Sequence, residues 1–145
     1  DKISNYMSMA LPNELSVTIS SSMKNTHVVD NFIELVIDRF QLPEFLRARF
    51  TVAIVKAVHN SIIHGNKENP KKKVIIAAVK SSTEVLVTVE DQGKGFAPDK
   101  LPGFTQPECF SLYRLPRGLY LMSTLSDRIL FEKNGAKVIM AFLLN

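Results

Sequence analysis

The sequence has few of the residues that cross-link or anchor small proteins. Its 145 residues include one cysteine, Cys109, and no tryptophan. A single cysteine excludes an internal disulfide framework and any zinc cluster made from several cysteines, and it suits a reducing compartment. No apolar run approaches the roughly 20 residues that a membrane-spanning helix needs, and the first residues lack the basic-then-apolar pattern of a secretory signal. We therefore expect a cytoplasmic protein that does not associate with a membrane.

The excess of positive charge is modest, with 18 Lys and Arg against 14 Asp and Glu. Such a balance permits an anionic partner. The densest basic cluster is Lys71-Lys72-Lys73, but nucleic-acid-binding domains usually add stacking aromatics or a basic helix face, and the sequence shows neither. The cluster is more typical of a solvated strand entrance, so we expect no direct binding of nucleic acid. Chain length and a hydrophobic content of 46% predict a single domain over residues 1–145.

Hydrophobic periodicity predicts two consecutive helices in the first half of the chain. Apolar residues between positions 28 and 40 recur at helical spacing, and Asn25 or Thr26 can cap the helix that they form. Pro43 can begin a second helix, which should run to about His64. Gly65 should end that helix, because glycine tolerates the left-handed conformation that is common at helix ends.

The remaining segments read as strands, a long loop and a third helix. Apolar residues alternate or run together in five strands, at 15–19, 73–79, 84–90, 128–132 and 137–144, and helical spacing returns at 118–125. Helices early in the chain and hairpins late favour a two-layer α+β sandwich over a doubly wound parallel sheet. About 25 residues rich in glycine, proline and polar side chains separate the third predicted strand from the third helix, so we expect a lid over about residues 92–117.

Polar residues form a row on the second predicted helix. Lys56, Asn60 and His64 are spaced at four-residue intervals, which places them on one stripe. Such a stripe is often a solvated helix face. Because most of the rest of the helix is apolar, the row also fits the wall of a cavity.

Two further patterns could contribute to a binding site. Asp91 follows a strand directly, and Gly93 and Gly95 would let the backbone approach a ligand closely. Arg117 and Gly118 open the third predicted helix, whose N-terminal amides would suit a phosphate. Each pattern alone is common in proteins that bind nothing there.

Taken together, these patterns resemble the GHKL (Bergerat-fold) superfamily of ATPases and kinases. Residues 60–66 are similar to its N box, residues 91–96 to its first glycine box, and residues 117–122 to its second. The short form and the His-Gly-Asn ending of the N box look most like the anti-sigma-factor serine kinases, and the resemblance extends over about residues 15–144. It implies a two-layer sandwich in which helices cover one face of a mixed, largely antiparallel sheet.

The resemblance also implies a ligand and partners. In that family the N-box asparagine, here Asn60, coordinates the Mg²⁺ that bridges the phosphates of ATP, and the aspartate, here Asp91, binds the adenine amino group. Its members bind a sigma factor and phosphorylate a serine of a STAS-type anti-anti-sigma protein, and they form homodimers. The implied ATP-binding residues of this chain are Asn60, His64, Asp91, Gly93, Gly95, Arg117, Gly118 and Leu119.

The chain departs from the family at one position that matters for catalysis. Four residues before the N-box asparagine the family usually has a glutamate as catalytic base, and here Lys56 stands there. A lysine ammonium has no proton-accepting capacity, and losing a general base costs about 10²–10⁴ in rate. Lys56 could contact phosphate and keep ATP bound without transfer, or it could point to solvent in a degenerate site. The sequence thus predicts an ATP-binding, serine-kinase-like anti-sigma regulator or, as the alternative, a non-catalytic interaction module of the same fold.

Overall fold

The structure is a computed structural model that describes residues 7–8, 13–95 and 117–145. Within those residues there are three α-helices and six β-strands. The helices are α1 (Thr26–Phe40), α2 (Glu44–Asn60) and α3 (Arg117–Leu125). The strands are β1 (Met7–Ser8), β2 (Glu14–Ser20), β3 (Lys73–Lys80), β4 (Glu84–Glu90), β5 (Arg128–Glu132) and β6 (Lys137–Leu143). Among the same residues, no helix combines the length and the apolar character that crossing a bilayer requires.

The strands form one sheet in the order β1-β2-β3-β4-β6-β5. Every pair of neighbours among the described strands is antiparallel, so the mixed pairing expected from the family resemblance is not seen in this part of the chain. The β3–β4 and β5–β6 pairs are hairpins. In the turn of the second hairpin, Asn134 and Gly135 have φ of 58° and 103°, as the Asn-Gly pair predicts.

One hydrophobic core lies between the sheet and the helices. Alternate residues of β4, namely Val85, Val87 and Val89, are fully buried on the inner face of the sheet. All three helices contribute side chains to the same core, and the rings of Phe50 on α2 and Phe142 on β6 meet edge to face at 5.2 Å. The predicted two-layer α+β sandwich is confirmed.

The end of the second helix differs from the prediction. The α-helix stops at Asn60, and Ser61–Gly65 form a π-helical turn in which the Asn66 amide donates to the Ser61 carbonyl at 2.8 Å. Gly65 was expected to cap the helix with positive φ, and that expectation is wrong. The glycines with positive φ in the described residues are Gly95 and Gly135.

The predicted lid lies mostly outside the described residues. Residues 96–116, which include Cys109, belong to this undescribed part, and the side chain of Arg117 does too. The described parts of the predicted lid are its two ends, in the loop that follows β4 and at the start of α3.

Candidate functional site

The Asp91 side chain is held at the end of β4 by three neighbouring segments. The Asp91 backbone amide donates to the carbonyl of Ala136, the residue before β6, at 2.8 Å. Its Oδ1 accepts a hydrogen bond from the Gly93 amide at 2.8 Å, and the Ser61 hydroxyl donates a second hydrogen bond to the carboxylate. The residue is 7% exposed. Asp91 therefore presents a fixed, recessed acceptor.

The surroundings of Asp91 act on its charge in opposite directions. Burial raises the pKa of the Asp91 carboxyl, and the negative charge of Glu90 adds to that rise. Hydrogen bonds from Gly93 and Ser61, together with the Lys72 ammonium, lower it, but burial has the larger effect. The site thus keeps an aspartate where its ionised form is costly, which is typical of functional positions.

Two glycines make room for this carboxylate. A Cβ built on Gly65 would lie 2.3 Å from Asp91 Oδ2, and one built on Gly93 would lie 2.2 Å from the Gly65 carbonyl oxygen. Any side chain at either position would collide with the site. Gly65 is therefore required for a close approach and not for a helix cap. We call the group formed by Ser61, Gly65, Asp91 and Gly93 the Asp91 cradle.

Gly95 supports the same loop from the other side. It has φ +83°, and a Cβ at this position would lie 2.0 Å from the Asn134 carbonyl oxygen. The Asn134 side-chain amide donates to the Lys94 carbonyl at 3.3 Å. The loop after β4 is thus held between the end of α2 and the β5–β6 turn.

The polar row on α2 is partly preserved. Asn60 is the last residue of α2, half-buried, and is joined directly to Ser61, so the Ser61–Asp91 hydrogen bond brings the end of α2 to the cradle. Lys56 lies one turn earlier and is also half-buried. His64 lies in the π-helical turn that follows α2 and is exposed.

The residues predicted at the start of α3 occupy different environments. No described atom lies within 4 Å of a Cβ built on Gly118, which leaves open space beside this residue. Leu119 is 3% exposed and belongs to the hydrophobic core. Leu119 was expected among the ATP-binding residues, but its side chain packs inward, so only its backbone could face a ligand.

Two buried polar residues at this site were not predicted as functional. Ser61 is 4% exposed and contacts Asp91, and Asn66 is fully buried and hydrogen-bonded to the backbone of the loop after β4. Both lie within the segment that resembles the N box, but that segment by itself does not show which residues reach the aspartate. The partners that link them to this site, Asp91 and Gln92, are more than 25 positions away in the sequence.

Comparison with known proteins identifies the family of the chain. The sequence profile of the histidine kinase-like ATPase domain matches residues 19–142. The chain belongs to that family. The matched range includes the positions of all eight residues of the predicted ATP site, namely Asn60, His64, Asp91, Gly93, Gly95, Arg117, Gly118 and Leu119.

Curated relatives of this ATPase-family chain are anti-sigma factors. An anti-sigma F factor of Clostridium perfringens (strain SM101 / Type A) is 37% identical over 64% of this chain and 69% of its own length. An anti-sigma F factor of Heyndrickxia coagulans is 38% identical over 52% of this chain and 53% of its own length. These matches confirm the resemblance to GHKL proteins of the anti-sigma-factor type.

Proposed function

We propose that this chain binds ATP and, as an anti-sigma factor, binds a sigma factor under the control of that nucleotide. The observation that carries the proposal is the Asp91 cradle, in which a buried carboxylate is packed against two glycines that admit no side chain. The family match supports a nucleotide as the ligand, and the names of the relatives support a sigma factor as the partner.

The cradle has the chemistry that adenine requires. A carboxylate has two oxygens with about four lone-pair sites, so the bonds from Gly93 and Ser61 leave acceptor capacity for an amino group. Because Asp91 is recessed and its neighbours lack side chains, a flat base could approach it closely. Asp91 would bind the base, and Gly93 and Gly95 would shape the loop beside it.

Other residues would hold the phosphates. The side-chain oxygen of Asn60 is a ligand type that Mg²⁺ accepts, and Mg²⁺ is usually held by few protein ligands together with substrate phosphates. The N-terminus of α3, with Arg117 and Gly118, would supply backbone amides for the phosphates. His64 is exposed at the edge of the π-helical turn, where it could contact them. Bound Mg-ATP supplies a transferable phosphoryl group, and its transfer depends chiefly on positioning and electrostatics.

We further propose that phosphoryl transfer to a STAS-type partner is weak or lost in this chain. Lys56 stands in place of the family's glutamate, and it lies close enough to His59 to act on its charge. Burial lowers the pKa of His59, and the positive charge of Lys56 lowers it further, whereas Asp30 opposes the change. A cation at this position favours contact with phosphate oxygens over removal of a proton from a serine. Lys56 thus supports ATP binding without phosphoryl transfer, so that the chain would act by binding its protein partner.

Calorimetric titration with Mg-ATP, followed by a γ-phosphate transfer assay with a STAS-type protein, tests the proposal. We expect binding with little or no transfer. The variant Lys56→Glu should gain transfer by about 10²-fold or more if only the base is missing. Lys24→Glu, which makes the same charge change on an exposed turn, is the matched control and should gain none. Absence of ATP binding by the unaltered chain would overturn the proposal.

The outer face of the sheet supports a homodimer. Outward-facing residues of β3, β5 and β6 include Ile75, Leu130 and Leu143, which are 43%, 57% and 41% exposed. An open groove of about 380 Å³ runs along this face, lined by Leu86, Arg128, Ile129, Leu130, Ile139 and Ala141. Exposed apolar surface of this kind often marks a protein interface. We propose that a second copy of the chain covers this outer sheet face, and that the dimer acts in the cytoplasm.

A further inference from the structure

The buried side chain of Asn66 joins four segments of the chain. Its Nδ2 donates to Ser21 Oγ at 2.6 Å and to the Lys73 carbonyl at 2.9 Å, and its Oδ1 accepts from the Gln92 amide at 2.8 Å. The residue is fully buried. Both amide hydrogens are used, so the side chain is fixed in one orientation. Asn66 thus ties the ends of β2 and β3 to the loop that follows Asp91.

The same loop has a second attachment to β3. Gln92 Oε1 accepts a hydrogen bond from the Lys73 amide at 2.7 Å, so both the backbone and the side chain of Gln92 are held. Gln92 itself is exposed. Asn66 and Lys73 together fix the position of Gln92, which lies between Asp91 and Gly93.

This attachment bears directly on the Asp91 cradle. Gly65, which precedes Asn66, lies against the Asp91 carboxylate, and Gly93, which follows Gln92, lies against the Gly65 carbonyl. A movement of the loop by a few tenths of an ångström would therefore change how the carboxylate faces a ligand. Hydrogen-bond strength falls steeply with poor geometry, so discrimination between bases needs this loop in one place.

We propose that Asn66 is a positioning residue that sets the base specificity of the nucleotide site. It holds the loop after β4 against Gly65, so that Asp91 presents a fixed acceptor to the amino group of adenine. Inosine triphosphate has an oxo group where ATP has that amino group, and a fixed carboxylate would reject it. This inference rests on the proposed binding of ATP, and it adds the residue that makes the binding selective.

The test measures the affinities of ATP and of inosine triphosphate for the unaltered chain and for three variants by calorimetry. Since a hydrogen bond to a charged group is among the strong ones, we expect the unaltered chain to prefer ATP by about tenfold or more. Asn66→Ala should reduce this preference at least severalfold. Gln92→Ala alters an exposed residue, so it should fold even if Asn66→Ala does not, and it should reduce the preference in part. Asn25→Ala removes a half-buried asparagine whose side-chain amide donates to Ser20, and it should leave the preference unchanged.

Hydrogen exchange without nucleotide provides an independent readout. The Gln92 amide should exchange faster in Asn66→Ala than in the unaltered chain or in Asn25→Ala. An equal loss of affinity for both nucleotides, with the preference intact, would overturn the role of Asn66 and leave ATP binding standing. An unchanged Gln92 amide would overturn it as well. Failure of the unaltered chain to bind ATP would instead overturn the proposed function, and this inference with it.

Discussion

At the scale of one residue, ionisation of the Asp91 carboxyl favours ligand binding but lowers the stability of the fold. Burial raises its pKa, so the ionised form costs free energy in the folded protein. A charged acceptor nevertheless binds an amino group more strongly than a neutral one does. Gly93 and Ser61 reduce the cost by donating hydrogen bonds to the carboxylate. Functional sites often retain such destabilising groups.

The variant Asp91→Asn should therefore be more stable than the unaltered chain at pH 7. Because the pKa of Asp91 is higher in the folded state than in the unfolded state, the folded protein binds more protons between the two values, and stability falls as pH rises through that window. The asparagine does not ionise, so its advantage should be present at pH 7 and absent at about pH 3, below the ordinary aspartate pKa. Urea denaturation at the two pH values measures this. Affinity for ATP should fall about tenfold.

The carboxyl of Glu84 provides a control, because its pKa is shifted in the opposite direction to that of Asp91. Hydrogen bonds from Arg128 lower the pKa of Glu84, so its contribution to stability is present at neutral pH and is lost as pH falls through the lowered pKa. Glu84→Gln should thus lose stability at pH 7 and not at low pH. If Asp91→Asn and Glu84→Gln change in the same direction, burial is not the cause of the Asp91 shift.

At the scale of elements, Arg49 connects α2 to the end of α3. Its guanidinium donates to the Leu125 carbonyl at 3.1 Å and lies 3.6 Å from Asp127 Oδ2. Asp127 Oδ2 in turn accepts from the Leu143 amide at 2.8 Å, which joins this contact to β6. A cation at the C-terminus of a helix also interacts favourably with the helix dipole. Arg49 thus holds α3, which follows the predicted lid, against the rest of the fold.

Replacing Arg49 by methionine should loosen α3 in particular. Methionine retains an apolar side chain on α2 but donates nothing, so we expect a loss of about 1–2 kcal/mol in the free energy of unfolding. Hydrogen exchange of the α3 amides should accelerate more than exchange in the sheet. Arg47→Met is the matched control, since Arg47 bonds to Glu44 and Leu42, outside α3. Unchanged exchange in α3 would show that Arg49 does not anchor it.

At the scale of the whole molecule, the two layers leave one face of the sheet without a covering layer in the described residues. Core side chains alternate with outward-facing ones, and several of the latter are large and apolar. The predicted dimer would bury this outer sheet face, whereas the helices pack on the inner face and the Asp91 cradle lies at the end of β4. Dimerisation and nucleotide binding would then use separate surfaces.

Light scattering on the purified chain should give the mass of a dimer, and Leu130→Lys should convert it to a monomer. A lysine at this position would bury an unpaired charge in the interface, which raises the dissociation constant by about 100-fold or more. Phe45→Lys is the matched control, because Phe45 on α2 is also 57% exposed. Dissociation by Phe45→Lys but not by Leu130→Lys would place the interface on the helices instead.

Much of the fold could be predicted from the sequence, because the patterns that indicate helices, strands and turns involve residues close together in the chain. The alternation of Val85, Val87 and Val89 depends only on the two-residue repeat of a strand, and the Asn134-Gly135 turn depends only on backbone preference. The place of Asp91 between a strand and two glycines only allowed a binding site there, and the family resemblance made Asp91 a predicted site residue. The motif spacing was also sufficient to indicate the ATPase family, to which the profile match assigns the chain.

The arrangement of the site was decided by tertiary structure. Gly65 was predicted as a helix cap from local preference, yet its absent side chain makes room for a carboxylate 26 positions away. That contact depends on the register of β4 and on the π-helical turn after α2, and no periodicity of the helix itself encodes either. Ser61 and Asn66 acquire their roles for the same reason. The sequence by itself determined which elements form, whereas only their packing determined which residues meet around Asp91, because close contacts between distant segments depend on the whole arrangement of layers.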